Sequence, residues 1–352
     1  MLGRQAARLL WRMLSTSRCP ADPGSSSHSA REAVVSHHSL VLAIVLFTTC
    51  LRGMPTDAVE PDSRRILTCG PRTALVEIST ADPAGRIEWS HPANTREGWV
   101  LPDGNILLAL SKAPDAAGGA AIEIKRGHDG GPDEVVWRYD GTQKEINSIQ
   151  KTAQGTYVLS EAGPQPRLLE VRADGTIAVE FPLDCQRANS HMQTRMARKQ
   201  ADGTFLVPHL LDFAIRRYDV TGKVLATIDT HAKGEPGINS WPFTAIAVAD
   251  GGILAGLTNG NRVVEYDRDG TVRWEITTAE VGGAIADACG IQRLPNGNTM
   301  IASYHIGQGG VRLLEVTPEK QVVWKWMADV PAVHHFQVVS IDGTDLPWPP
   351  LR

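Results

Sequence analysis

Three regularities in this 352-residue chain predict an all-β fold, a six-bladed β-propeller whose blades are four-stranded and antiparallel. An acid recurs at Glu77, Glu123, Glu170, Glu265 and Glu315, with Arg217 holding the remaining place, in steps of 46, 47, 47, 48 and 50 residues. A tryptophan follows at Trp89, Trp137, Trp274 and Trp324, replaced by Val179 and Ala226 in the two middle copies. A glycine closes each copy at Gly104, Gly155, Gly203, Gly251, Gly297 and Gly343. A period of this length means that one unit cannot bury its apolar face alone and must stack on its neighbours.

Each unit reads as two hairpins. In the clearest copy Val263-Val264-Glu265-Tyr266 and Val272-Arg273-Trp274-Glu275-Ile276 are β-branched and aromatic, and the Asp-Arg-Asp-Gly between them supplies the positive φ of a tight turn. The second pair, Ile291-Gln292-Arg293-Leu294 and Thr299-Met300-Ile301-Ala302-Ser303, is split by Pro295-Asn296-Gly297-Asn298, again a hairpin loop. Four strands per period of 40 to 50 residues is a propeller pattern, and no sustained helical period interrupts it between Arg65 and Trp348.

The ends predict how the ring closes. The chain enters the repeat at Arg65-Ile66-Leu67-Thr68-Cys69-Gly70, in the register of a second strand. It leaves at His335-Phe336-Gln337-Val338-Val339-Ser340-Ile341, in the register of an innermost one. One C-terminal strand and three N-terminal strands therefore share the last blade, which removes the open sheet edge.

Residues 1–64 read as a leader and linker, and residues 65–352 as the single propeller domain. The run Leu40-Val41-Leu42-Ala43-Ile44-Val45-Leu46-Phe47-Thr48-Thr49 is too short to span a bilayer and suits the apolar segment of a secretory signal. An exported protein, periplasmic or extracellular, is expected, with its mature N-terminus between Thr49 and Arg64. Arg4, Arg8, Arg12, Arg18 and Arg31 make an organellar transit peptide the alternative, and Cys50 leaves an N-terminal lipid anchor open as the one route to a membrane. A net charge of −4 with scattered Lys and Arg argues against nucleic acid. Cys69, Cys185 and Cys289 form no disulfide framework, and Cys69 and Cys289 are expected as small buried strand residues.

Chemistry in such a ring gathers at the mouth of the central channel. Eight residues before each turn glycine stand Arg96, Asn147, Arg195, Phe243, Cys289 and His335. Ten before stand Asn94, Glu145, Gln193, Trp241, Asp287 and Val333. The ends of the second strands add Ser111, Glu161, His209, Thr258 and His305. A rim of this composition suits a small polar ligand, and Arg96, Asn147, Arg195, Trp241, Asp287 and His209 are the candidate ligand-binding residues. Trp241 lies outside the repeated tryptophan register and is the candidate for stacking on a sugar or aromatic ring. His335, His191 and His305 are the candidate catalytic residues, as general base or nucleophile. No HxH or HExxH motif occurs, and no metal site is expected. His334 and His335, adjacent on a strand, point to opposite sides.

Residues 262–276 and 292–303, with their acid, Asp-Gly turn, Trp and Leu-Pro-Asn-Gly-Asn-Thr hairpin, resemble the bacterial propellers of the pyrroloquinoline-quinone-repeat, NHL and arylsulfotransferase group. The resemblance covers nearly the whole chain from Arg65. It implies the propeller fold but not one activity, since such repeats serve both enzymes and binding scaffolds. The docking pattern of the quinone-binding members is echoed only in Thr221-Gly222-Lys223, and no cofactor is assigned. Arylsulfotransferases of this group use channel histidines, and the resemblance gives His335, before Phe336-Gln337-Val338, a comparable place. Two functions are expected: an exported propeller that binds a small polar ligand, a carbohydrate included, or a protein partner at its channel face, and alternatively a transferase or hydrolase using the channel histidines.

Overall fold

The computed structural model describes residues 62–127, 131–231, 240–330 and 332–352. The expected leader, with its apolar run at 40–49 and Cys50, lies outside the described residues but for its last three positions. The remainder belongs to a compact unit running from Ala58 to Arg352.

Six antiparallel sheets form the ring. Five are four-stranded, with innermost strands Thr95–Val100, Glu145–Lys151, Arg198–Lys199, Pro242–Ala247 and Ala288–Arg293, and we number these blades 1 to 5. Blade 6 closes the ring. Its innermost strand is His335–Ile341, followed outward by Ser63–Cys69, Thr73–Ser79 and Arg86–His91. The joint is the pairing of Thr68 with Phe336 and Ile66 with Val338, so the two ends of the propeller are zipped into one sheet, as the register of the terminal strands predicts. A short edge strand, Thr344–Asp345, adds to the axial side of blade 6.

The repeat unit straddles two blades. Arg262–Tyr266 and Val272–Thr277 are the outer strands of blade 4, whereas Ala288–Arg293 and Thr299–Ser303 are the inner strands of blade 5. The six repeated glycines all occupy the left-handed region, with φ between +72° and +88°, which is why the turn tolerates no other residue comfortably. Apolar side chains fill the spaces between sheets, as where Leu254 and Val263 of blade 4 share a cluster with Ile291, Ile301 and Leu314 of blade 5.

At four of its five positions the recurring acid is a clasp between blades, whereas Glu77 pairs with Arg86 of its own blade and faces Val100 at the matching position of the next. Glu123 of blade 1 accepts from Lys151 of blade 2 at 2.7 Å and from Tyr157 at 2.7 Å. Glu170 of blade 2 holds Lys199 of blade 3 at 2.7 Å, Glu265 of blade 4 holds Arg293 of blade 5 at 2.5 Å, and Glu315 of blade 5 holds Arg64 of blade 6 at 2.8 Å. Where the acid is replaced by Arg217, the cation is gone as well: the position matching Lys151 and Lys199 is Ala247, and Arg217 turns back to Asp202 of its own blade.

The tryptophans also reach forward. Trp137 stacks on Tyr157 with centroids 3.6 Å apart, Trp274 donates to the carbonyl of Pro318 at 2.8 Å, and the Arg64 guanidinium lies over Trp324 at 4.4 Å.

Arg64 and Glu315 are both about 2% exposed, so deleting one partner strands a charge inside the protein. Arg64→Ala is expected to lower unfolding free energy by about 3 kcal/mol. Chemical denaturation of the variant and of Glu315→Gln measures this, and an unchanged midpoint for Arg64→Ala would show that the clasp is ornamental.

Candidate functional site

The channel mouth is built by irregular strand pairing. In blade 1 Thr95 pairs with Leu110 and Glu97 with Ala109, so Arg96 is an extra residue. The same slip isolates Asn147 in blade 2 and Phe243 in blade 4, and a wider one frees Cys289 and Gly290 in blade 5. A bulge kinks its strand and re-aims the inserted side chain. Here it falls on the residues eight before the turn glycine, which is the ring expected at the mouth.

Two buried arginines from different blades stand there, and one of them is paired with a carboxylate. Arg96 Nη2 lies 3.3 Å from Glu145 Oε2 and 2.8 Å from His191 Nδ1. His191 Nδ1 is also 3.2 Å from Glu145 Oε2. Neutral His191 accepts from Arg96, and protonated His191 donates to Glu145. Arg195 donates to the carbonyls of Thr194, at 2.8 Å, and of His191, and its guanidinium carbon is 5.6 Å from the Phe243 ring.

Neighbouring charges shift one another at this mouth. Burial and the charge of Arg96 push Arg195 down to about 9 against the opposing pull of Glu145. Burial alone would raise Glu145; the His191 hydrogen bond and the charges of Arg96, His191 and Arg195 overcome it and hold the carboxyl at about 2. Arg96 is paired with Glu145 directly, whereas Arg195 feels that carboxylate only through space, and Asp287 is a second carboxylate at the mouth.

His334 faces the same space. It stacks on Tyr304 with centroids 4.0 Å apart, and burial, then the charges of Arg96, Arg195, His191 and His305, drive it well below the usual histidine range. Across Tyr304, whose ring is 4.4 Å from that of His305, the His305 Nδ1 is hydrogen-bonded to Asp287. Buried polar atoms without a partner concentrate around this mouth: Arg96 Nε, both amide atoms of Asn147, Thr194 Oγ1, Arg195 Nε, Trp241 Nε1 and His334 Nδ1. Such atoms are costly to bury unless something satisfies them.

The other candidates sit elsewhere. His209 is packed inside blade 3, where its Nε2 meets Tyr218 Oη at 2.8 Å, and burial followed by the Arg216 charge lowers it to about 3. His335 lies deeper in the channel, fully buried, with Nδ1 accepting from Arg352 Nη1 at 2.7 Å. Adjacent His334 and His335 therefore serve opposite ends. Cys69 and Cys289 are buried, and burial pushes each thiol up to about 12. Sequence reasoning singled out neither His334 nor Tyr304 as a site residue; their signal is position, His334 lying one residue before the counted ring and Tyr304 one before His305.

The far end of the channel is stoppered by the chain itself. Residues 346–352 cross it: Trp348 meets Trp99 edge-on with centroids 5.7 Å apart, the Leu351 carbonyl accepts from Arg293 at 2.9 Å, and the Arg352 guanidinium enters the axis. There it lies 3.8 Å from the Trp99 ring centroid and donates to the carbonyls of Phe336, at 2.6 Å, and of Gly98. Glu97, fully buried, pairs with Arg198 beside it. A separate groove of about 610 Å³ is lined by Asp184, Cys185, Arg187, Asp212, Arg216 and His231 among others; Arg216 pairs there with Asp212 and His231 with Asp229. Among the described residues no cluster of His, Cys, Asp and Glu is arranged to hold a metal ion.

This is a six-bladed propeller that gathers two buried arginines, two carboxylates and several unpartnered polar atoms at one channel mouth. No protein-family model matches the chain, and no curated protein matches it in sequence. Among solved structures it is similar in fold to a protein of unknown function from Bacteroides caccae, at 18% identity and a TM-score of 0.64 over 78% of this chain and 98% of that one. It is also similar to the periplasmic gluconolactonase of Pseudomonas aeruginosa, at 13% identity and 0.53 over 79% and 99%. A virginiamycin B lyase from Staphylococcus aureus, crystallised with quinupristin, gives 13% and 0.51 over 77% and 87%.

Because the Glu145 carboxyl is held below its ordinary value of 4.5, its contribution to stability is present above about pH 4.5 and lost as pH falls toward 2. Glu145→Gln is expected to flatten that acid limb. Thermal melts between pH 3 and 7 check it, and parallel wild-type and variant curves would contradict the assignment.

Proposed function

We propose that the protein binds a small anionic ligand at the open mouth of its channel. The observation that carries this reading is the pair Arg96 and Arg195, both buried at the mouth, both with an unpartnered Nε, with the charge of Arg96 bearing on Arg195. A second anion between them would relieve their repulsion and take up donors in the paired geometry that guanidinium offers carboxylate, phosphate or sulfate. The Asn147 amide, the Thr194 hydroxyl and the Trp241 indole N–H add neutral partners, which favours a ligand bearing hydroxyl groups beside its charge, a sugar acid rather than a neutral sugar. A macromolecular partner is disfavoured because these unpaired groups are buried within the mouth.

The similar structures include proteins named as a lyase and a lactonase, which supports catalysis as a use for this fold. Their identity to this chain is too low to bring a substrate with it. We place the protein outside the cytoplasm on the strength of the apolar run at 40–49.

Arg195→Ala separates this reading from a purely structural one. Holding Arg195 charged is unfavourable, so its removal is expected to keep or raise the melting temperature while weakening anion binding by about 1.5–3 kcal/mol, roughly 10- to 150-fold. Calorimetric titration with gluconate, succinate and phosphate measures the affinity. No heat of binding to wild type with any of the three, or a lower melting temperature with affinity intact, overturns the proposal.

A further inference from the structure

The mouth also holds a histidine set up for proton transfer, on the side facing the arginines across Tyr304 and His334. His305 Nδ1 is hydrogen-bonded to Asp287 Oδ2. A carboxylate in this position accepts a hydrogen bond from Nδ1–H and leaves the lone pair on Nε2, so the free face of the ring is a base. The His305 side chain is 68% exposed, whereas that of Asp287 is 21% exposed. The acceptor is fixed and the base is open to the mouth.

Asp287 is held with unusual firmness. Its backbone sits in the left-handed region at φ +57°, an unfavourable place for a residue with a Cβ. Its N–H donates to Asn261 Oδ1 at 2.6 Å, and Asn261 is itself left-handed at φ +51°. Its carbonyl accepts from the Tyr304 N–H at 3.1 Å, and the neighbouring Ala286 carbonyl accepts from the His305 N–H at 2.9 Å. The segment carrying the base is therefore stitched to the segment carrying its carboxylate by two main-chain bonds. Local strain sustained in this way is a feature of positions that have to hold one side chain in one place.

A line of ring contacts joins His305 to the arginine side of the mouth: Tyr304 lies 4.4 Å from His305 and 4.0 Å from His334, His334 lies 6.0 Å from Phe243, and the Arg195 guanidinium lies 5.6 Å from Phe243. We propose that His305, oriented by Asp287, is the general base of a hydrolytic activity on a small ester whose charged arm is held by Arg96 and Arg195. This rests on the anion-binding reading above. An exposed imidazole in contact with solvent is placed to activate water, whereas abstraction of a carbon-bound proton calls for a dry base. Nε2 takes a proton from water as the water oxygen bonds to the acyl carbon. The acyl carbon–oxygen bond then breaks, and the departing oxygen takes that proton back from Nε2. One water is consumed, an acid and an alcohol are released, and no other reactant is needed.

The test uses 4-nitrophenyl hemisuccinate, an ester with a free carboxylate, and 4-nitrophenyl acetate, which lacks one. Wild type is expected to prefer the anionic ester by at least tenfold in kcat/KM. His305→Gln is expected to lose 100-fold or more in kcat, the usual worth of a general base, with succinate affinity within twofold of wild type. Asp287→Asn is expected to lose at least tenfold in kcat, again with succinate bound. Succinate binding without turnover above the uncatalysed rate, or full turnover by His305→Gln, overturns the base while leaving the anion site standing. Absence of succinate binding to wild type removes the anion site and this activity together.

Discussion

Closure of the ring is the constraint on which every other feature depends. Each blade is stable only against two neighbours, so a gap anywhere exposes two apolar faces at once. The gap is prevented at blade 6, where Ser63–Cys69 pairs with His335–Ile341 across more than 260 residues of sequence. That joint fixes six sheets around one axis, and the axis is what brings Arg96, Glu145, Arg195, Asp287 and His334 from five different blades or their entrances to one mouth. No two of these five are close enough in sequence to meet through local structure.

Around the ring, polar and apolar contacts divide the labour. The apolar clusters between sheets supply most of the favourable burial, while the clasp from Glu123, Glu170, Glu265 and Glu315 fixes how one blade is registered on the next. Acid and cation are both absent at Arg217 and Ala247, whereas Glu77 keeps the acid opposite Val100 and pairs with Arg86 of its own blade. The mouth follows the opposite rule. Several of its buried polar atoms lack partners, and burial together with the Arg96 charge works against the charged form of Arg195.

The architecture was legible in the sequence because a propeller repeats its chemistry. The acid, the tryptophan and the glycine each mark one strand or turn, and counting from Gly104 to Gly343 located both the blades and the residues of the ring. The same counting placed Arg96, Asn147 and Arg195 at the mouth, since equivalent offsets share a radial direction. It misled for His209, which ends a second strand as His305 does but turns into its own blade to meet Tyr218. A strand end fixes where the backbone is, not which way an imidazole turns. The bulges that re-aim Arg96 and Asn147 carry no residue signature, and His334 and Tyr304 come forward only through the packing of the folded ring.

The tail that crosses the far end of the channel changes how the pocket communicates with solvent. A propeller open at both ends would exchange its contents by flow along the axis, whereas here Arg352, Trp348 and Leu351 make the axis a blind well. Whatever enters past Arg96 and Arg195 has to leave the same way. On the anion-binding reading proposed above, arrival and departure then share a single doorway, and dissociation of the bound anion sets how long the mouth stays occupied.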